Sequence, residues 1–398
     1  MKVLLLNQFF YPDLAATAQI ATELAEDLVA GGLKVTALAS RGTYLGGERL
    51  AARESHRDIE IVRLPATSFG KRTLLHRALD YASFYASAAS RLATLPRYDV
   101  LIALTTPPLI AATGLVAKAL KGTKLVYWVQ DIYPEVAVAI EALRPRSLLA
   151  RTMAAASRMV MRRADAVVAL GEEMRKRCIA AGAQPDRAVV IPNWSDPAVV
   201  RSVPHDANDL RQELANGART VVMYSGNIGR GHDVATLIGA ARLLRGVCDI
   251  SFVFIGEGAN RGEVAVAARE LPNVRLVPYQ SRERLSHSLS AGDLHLIALS
   301  SEIEGLIEPS KLYGIMAAGR PALFVGPPRS EVARTIERER CGRVIRNGDA
   351  EGLTAAIREL AGDPVEREAM GQRGRAALEQ RYARCIATAR FRELLLSL

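Results

Sequence analysis

The segment PSKLYGIMAAGRP, Pro309 to Pro321, combines residue types that can hold an anion. A helix capped by Ser310 after Pro309 leaves the amides of Lys311 and Leu312 free to donate, and Lys311 adds a cation where the helix dipole disfavours one. A cation tolerated at that position implies an anion beside it. A second candidate is YSGNIGRGHD, Tyr224 to Asp233, in which Gly226, Gly229 and Gly231 let the backbone turn closely around a ligand. Asn227 lies in that turn, and the Arg230 guanidinium can take phosphate oxygens two at a time. Two anion-binding elements on one sheet edge suggest a diphosphate. A third glycine-rich stretch, IGEGANRG, matches a dinucleotide fingerprint only loosely, and turn geometry accounts for Gly256, Gly258 and Gly262 better than ligand contact does.

Near the same helix, Glu302, Glu304 and Glu308 can accept hydrogen bonds from sugar hydroxyls or remain solvated loop acids. Metal binding is not indicated. No D-x-D occurs, and the six histidines form no H-x-x-x-H or similar ligand pattern. Charge on a leaving group would then be offset by arginine, lysine and helix dipoles.

Short apolar runs alternating with helical patterns must position these residues, which predicts βαβ units and parallel sheets. Lys2 to Leu6 and Val35 to Ala39 read as strands around a helix over Thr17 to Ala30, whose Ile20, Leu24 and Leu28 share a face. Further strands are expected at Ile59 to Leu64, Val100 to Leu104, Lys124 to Val129, Ala166 to Ala169 and Val189 to Ile191. A polar, proline-bearing linker from Asn193 to Asn208 precedes a second series: Thr220 to Tyr224, Ser251 to Ile255, Arg275 to Pro278, Leu294 to Ala298, Pro321 to Val325 and Gly342 to Val344. The length of 398 residues fits two such domains. Open α/β sheets bind ligands at their strand C-terminal ends, so two facing sheets would share a cleft lined by the loops named above.

The net charge of +10 is concentrated in the first half. Its strongest excess, Arg144 to Arg163, holds six arginines and no acid, with Leu and Met between them. This segment reads either as an amphipathic basic helix on an anionic membrane surface or as a solvated helix packed by its leucines and methionines. Aromatics are 5% of the chain and none interleave with these arginines, which argues against nucleic acid. Four scattered cysteines without C-x-x-C suggest neither zinc nor disulfides and fit a reducing compartment. The apolar opening is interrupted too early for a signal peptide, and Pro107-Pro108 cuts the most apolar stretch, Leu101 to Ala117. The expected location is cytoplasmic, peripheral on the inner face of the membrane.

In order and wording, FYPDLAATAQIATELAEDLVAGG, WVQDIYPE, RRADAVVALGEEM, VIPNWSD, YSGNIGRGHD and EGLIEPSKLYGIMAAGRP resemble glycosyltransferase family 4, in particular its bacterial surface-polysaccharide branch. The resemblance spans essentially the whole chain. It implies a GT-B fold, with two Rossmann-like, doubly wound α/β domains facing a central cleft. An acceptor-side domain is expected over 1–198 together with a crossover helix over 382–398, and a donor domain over 199–381. It also implies transfer of a sugar from a nucleotide diphosphate sugar with retention of configuration and without metal or other cofactor. By resemblance, Arg230 stands at the basic phosphate position, Ser310, Lys311 and Leu312 at the pyrophosphate-binding helix start, and Pro278, Tyr279 and Gln280 where backbone meets the nucleobase.

The chain departs from the family pattern at several points. Leu306 and Gly314 occupy the places of the family's paired glutamates, which leaves Glu304 as the nearest replacement for the first. Ala15-Ala16-Thr17 replaces a Gly-Gly loop, where the amides of Ala16 and Thr17 would still point at the donor. Gln130-Asp131 replaces a histidine-bearing loop. Asp131 is expected either to orient or deprotonate the attacking hydroxyl, or to cap a helix over Tyr133 to Ala142.

The mechanism implied is front-face transfer, with Arg230 and Lys311 offsetting charge on the departing diphosphate. The partners expected are a UDP-sugar, favoured over a GDP-sugar, and a polyprenyl-diphosphate-linked glycan for lipopolysaccharide, capsule or exopolysaccharide. Lys71-Arg72 and Arg77 join the arginine-rich segment in the basic surface. A nucleotide-sugar epimerase and a non-catalytic sugar-binding protein are the alternatives. The first needs acids and histidines in the cleft, where only His232 is found, and the second would be exported.

Overall fold

The computed structural model describes residues 1–44, 46, 49–67, 69 and 74–398. Lys71 and Arg72 lie outside the described residues, as does the side chain of Arg77. The chain divides into two compact units, Met1–Pro192 with Ala387–Leu398, and Asn193–Ile386.

The first unit carries strands β1 (Lys2–Leu6), β2 (Lys34–Ser40), β3 (Arg53–His56), β4 (Ile59–Leu64), β5 (Val100–Ala103), β6 (Lys124–Trp128), β7 (Ala166–Ala169) and β8 (Ala188–Val190). They lie side by side as β3-β4-β2-β1-β5-β6-β7-β8, and every neighbouring pair is parallel except β3 with β4. Helices cover the sheet, so its central strands are apolar on both faces: Val3, Leu4, Leu5 and Leu6 are all buried. The helix Arg384–Leu396 puts Phe391 against Trp128, ring centroids 4.6 Å apart, while Thr388 donates to Asp27 Oδ2 at 2.8 Å.

The second unit carries β9 (Thr220–Ser225), β10 (Ile250–Ile255), β11 (Val274–Val277), β12 (Leu294–Ala298), β13 (Ala322–Val325) and β14 (Gly342–Ile345). Their order, β11-β10-β9-β12-β13-β14, is all parallel and is the Rossmann arrangement. Tyr224, Phe252, Phe254, Leu294 and Leu323 are among the residues of its buried core. The direction of winding changes between β9 and β12, so the loops leaving these two strands flank the place where open α/β sheets take their ligands. In the first unit the change falls between β1 and β5.

Among the described residues, the one strand not expected from the sequence is β3. Arg53–His56 is polar and half-exposed, and its hairpin turns on Arg57 and Asp58, both with positive φ (46° and 62°), instead of an Asn-Gly pair.

Candidate functional site

The site is built on the β9 and β12 loops of the second unit. After Ser225 the chain enters Gly226 at φ 114°, and the loop after β10 passes through Gly256 at φ 140° and Gly258 at φ 147°. The loops bond to each other backbone to backbone: Ile228 N donates to Glu257 O at 2.8 Å, and Asn260 N to Ile228 O at 2.9 Å. A Cβ on Gly256 would stand 2.1 Å from the Gly226 carbonyl oxygen, and one on Gly258 2.4 Å from that of Ile228. Gly256 and Gly258 of IGEGANRG therefore serve close loop packing. Asp233 caps the next helix by accepting from Thr236 N at 3.1 Å. Burial works against its charge, but hydrogen bonds from Thr236, Asn347 and Gly348 hold its carboxyl below the usual range.

Beneath this loop lies Tyr224, fully buried, with its hydroxyl donating to Asn227 O at 2.8 Å and standing 3.0 Å from His232 Nδ1. Burial pushes the phenol pKa up, so it stays a donor. The Gly229 amide donates to the same His232 nitrogen at 3.0 Å. Burial first, and the Lys311 charge next, lower His232 to about 3, so the ring is neutral at working pH and holds the loop in shape.

Lys311 opens the helix Lys311–Ala317 and reaches back over this loop. Its Nζ stands 3.5 Å above the Tyr224 ring centroid and donates to Asn227 O at 3.0 Å. Burial holds the ammonium pKa well below 10.5. No carboxylate among the described residues forms an ion pair with it. Arg230, on the same loop, is exposed and has no ion pair or hydrogen bond among the described residues. Two cations thus stand on loops flanking the topological switch point, neither matched by an acid.

Ser310 occupies the N-cap position, but with helical dihedrals (φ −70°, ψ −10°), and its hydroxyl makes no capping bond, contrary to the capping role expected of it. Tyr313 N instead donates to Ser310 O at 3.2 Å in a tight first turn, and the Lys311 and Leu312 amides have no intrahelical acceptor. The Leu312 side chain is buried. Glu304 takes Arg329 at 3.3 Å through one oxygen, while its other oxygen is buried without a hydrogen bond. Burial, then the Glu331 charge, push Glu308 up to about 8 and keep it protonated at neutral pH. Pro278 and Tyr279 follow β11 and are exposed, with the Pro278 carbonyl accepting from Gln280 at 3.0 Å.

Ala16, Thr17 and Asp131 belong to the first unit. Ala16 opens the helix Ala16–Ala30, whose N-cap Ala15 supplies no side-chain bond. Thr17 Oγ1 lies 3.4 Å from the Asn7 amide nitrogen. Burial pushes the Asp131 carboxyl up to about 6. The helix after it is shorter than expected, Glu135–Ala139, with Pro134 at its N-cap and no capping side chain, so Asp131 does not cap it. Among the described residues no group of three or more His, Cys, Asp or Glu could hold a metal ion, and no helix is long and apolar enough to cross a membrane.

Two Rossmann-like units of this kind make up the GT-B fold, and the chain belongs to the glycosyltransferases. It matches the Glycosyl transferase 4-like domain over residues 16–194 and Glycosyl transferases group 1 over residues 206–377. Among curated relatives it is 29% identical over 299 residues to the probable glycosyltransferase WbjE of Pseudomonas aeruginosa, covering 74% of each chain. It is 27% identical over 353 residues to the putative colanic acid biosynthesis glycosyl transferase WcaI of Escherichia coli K12, covering 85% of this chain and 86% of that one. Among solved structures, Anabaena HepE in complex with UDP-glucose superimposes with a TM-score of 0.74 at 18% identity over 100% of both chains.

Proposed function

We propose that this glycosyltransferase moves a sugar from a nucleotide diphosphate sugar, a UDP-sugar in preference to a GDP-sugar, to a polyprenyl-diphosphate-linked glycan during bacterial surface-polysaccharide assembly. Transfer proceeds with retention and without metal. The observation that carries the donor reading is Lys311, partly buried without a carboxylate partner beside the loop that bears Arg230. A diphosphate supplies the missing charge. The amides of Lys311 and Leu312 donate to it, Glu304 takes sugar hydroxyls, Asn227 borders the diphosphate, and Pro278 and Tyr279 border the base. WbjE and WcaI, named as glycosyltransferases, and HepE, solved with UDP-glucose, support the same assignment. In the first unit, Ala16 and Thr17 offer amides at a helix start and Asp131 orients the attacking hydroxyl.

The test is the product. With EDTA present, a polyprenyl-diphosphate glycan acceptor and a UDP-sugar should give a new linkage whose anomeric proton coupling matches the donor's. The opposite anomer, or turnover only after a divalent cation is added, contradicts the reading.

The membrane-side reading of the arginine-rich segment draws on exposure. The helix Leu148–Arg163 buries Ala150, Ser157, Val160 and Met161, while Leu148 and Leu149 remain 79% and 59% exposed beside Arg144, Arg146 and Arg151. Those two leucines do not pack the helix, and an apolar tip ringed by arginines suits an anionic interface. Each arginine near such a surface contributes about 1 kcal/mol, so replacing both Arg146 and Arg151 by Gln should weaken binding to anionic vesicles by about 30-fold. Unchanged co-sedimentation of that variant, or wild-type binding insensitive to salt, counts against membrane docking.

A further inference from the structure

Lys311 is the only lysine between Asn193 and Leu398; every other cationic side chain there, histidine aside, is arginine. The geometry around it calls for a compact ammonium. Its Nζ fits between the face of one ring, 3.5 Å from the centroid, and one carbonyl, Asn227 O at 3.0 Å. The Tyr224 hydroxyl donates to that same carbonyl at 2.8 Å, so a single side chain supplies the ring under the lysine and also fixes the acceptor beside it. Gly226 leaves room for the lysine stem, since a Cβ there would stand 3.1 Å from Lys311 Cε.

We propose that Tyr224 is a positioning residue for transfer: its ring face stands in for a counter-ion, holding the Lys311 ammonium aimed and charged until the donor diphosphate arrives. The proposal rests on the reading that Lys311 meets the diphosphate. A carboxylate in this place would also hold the lysine, but it would repel the incoming diphosphate and leave a buried charge to be displaced. A ring quadrupole attracts a cation by a modest amount and presents no negative charge to expel. The titratable groups on the neighbouring loops fit this division. On the β9 loop, His232 is buried and neutral and Arg230 is exposed. On the β10 loop, Glu257 is paired with Arg261 at 3.1 Å. Preceding Lys311 on its own segment, Glu308 is kept protonated by burial.

The ring and the hydroxyl can be separated. Tyr224→Phe keeps the ring face and removes the hydroxyl; Tyr224→Leu removes both. With lysine labelled by 13C at Cε, the Lys311 resonance is identified by its loss in Lys311→Arg and titrated in each variant. The Lys311 pKa should stay in place in Tyr224→Phe and fall by about one pH unit in Tyr224→Leu. A merely structural tyrosine would not move it, so coincident titrations in Phe and Leu variants overturn the proposal. If the leucine variant fails to fold, fluorinated phenylalanines of nearly the same shape at 224 replace it. The Lys311 pKa should then step down as fluorine drains the ring face, and a constant value overturns the proposal. The underlying donor reading fails separately, if adding UDP leaves the wild-type Lys311 titration where it was.

Discussion

Replacing Lys311 by alanine should lower kcat/KM for the sugar donor by about 10²- to 10³-fold, the range seen when one preorganised charge-stabilising group is removed. Its unfolding free energy should stay within about 1 kcal/mol of wild type. The two halves of this expectation come from one fact. The ammonium is held between a ring and a carbonyl with no carboxylate, and burial already lowers its pKa, so the fold gains little from the charge. The transition state, in which the departing diphosphate collects negative charge, gains much. Steady-state kinetics and urea denaturation on the same preparation separate the two. Loss of stability in step with loss of activity would make Lys311 a packing residue. Unchanged kinetics would remove it from the site.

Asp131→Asn should have opposite effects on stability and activity. Burial raises this carboxyl from 3.8 to about 6, so its ionised form is disfavoured in the fold. The sign follows: stability is fully present below the unfolded pKa and is lost as pH rises through about 6. At pH near 7 the wild type therefore carries a penalty of about 3 kcal/mol that asparagine removes. Urea denaturation should show wild-type stability declining from about pH 4 to about pH 7 relative to the variant. Activity moves the other way. A carboxylate that orients or deprotonates the attacking hydroxyl gives wild-type kcat an acid limb near 6, and the asparagine variant should lose both the limb and about 10²-fold in rate. An asparagine variant that is less stable at neutral pH and keeps the acid limb would show that Asp131 only organises its own loop.

Much of the architecture was legible in the chain because buried parallel strands are apolar on both faces and helices between them keep one periodic stripe. Lys2–Leu6 and Ile250–Ile255 are such strands, and Ala16–Ala30 such a helix. What escaped was local structure decided by single residues. β3 hides in RESH because its partner and turn, not its hydropathy, make it a strand. The helix after Asp131 spans only Glu135–Ala139, with Pro134 at its N-cap and no capping side chain.

Lys311 was legible because a cation at a helix start runs against the helix dipole, and Arg230 because it sits among glycines after a strand. Tyr224 and His232 were not. A tyrosine ending an apolar strand looks like any core residue, and only the closed loop shows that its ring carries the lysine and its hydroxyl the loop. Glu308 likewise stands out only when burial and Glu331 are known to surround it.

The central claim is that Lys311 and Arg230 exist to hold a nucleoside diphosphate. Thermal unfolding of the wild type, Lys311→Ala and Arg230→Ala, each with UDP, GDP or ADP in EDTA, tests it most directly. At a concentration 100 times its dissociation constant a ligand of the folded state adds about 2.7 kcal/mol of stability, which is readily seen as a rise in Tm. In the wild type the rise with UDP should exceed that with GDP or ADP, and it should be lost in both variants. A wild-type Tm indifferent to all three nucleotides, or a UDP shift that survives both substitutions, would contradict it.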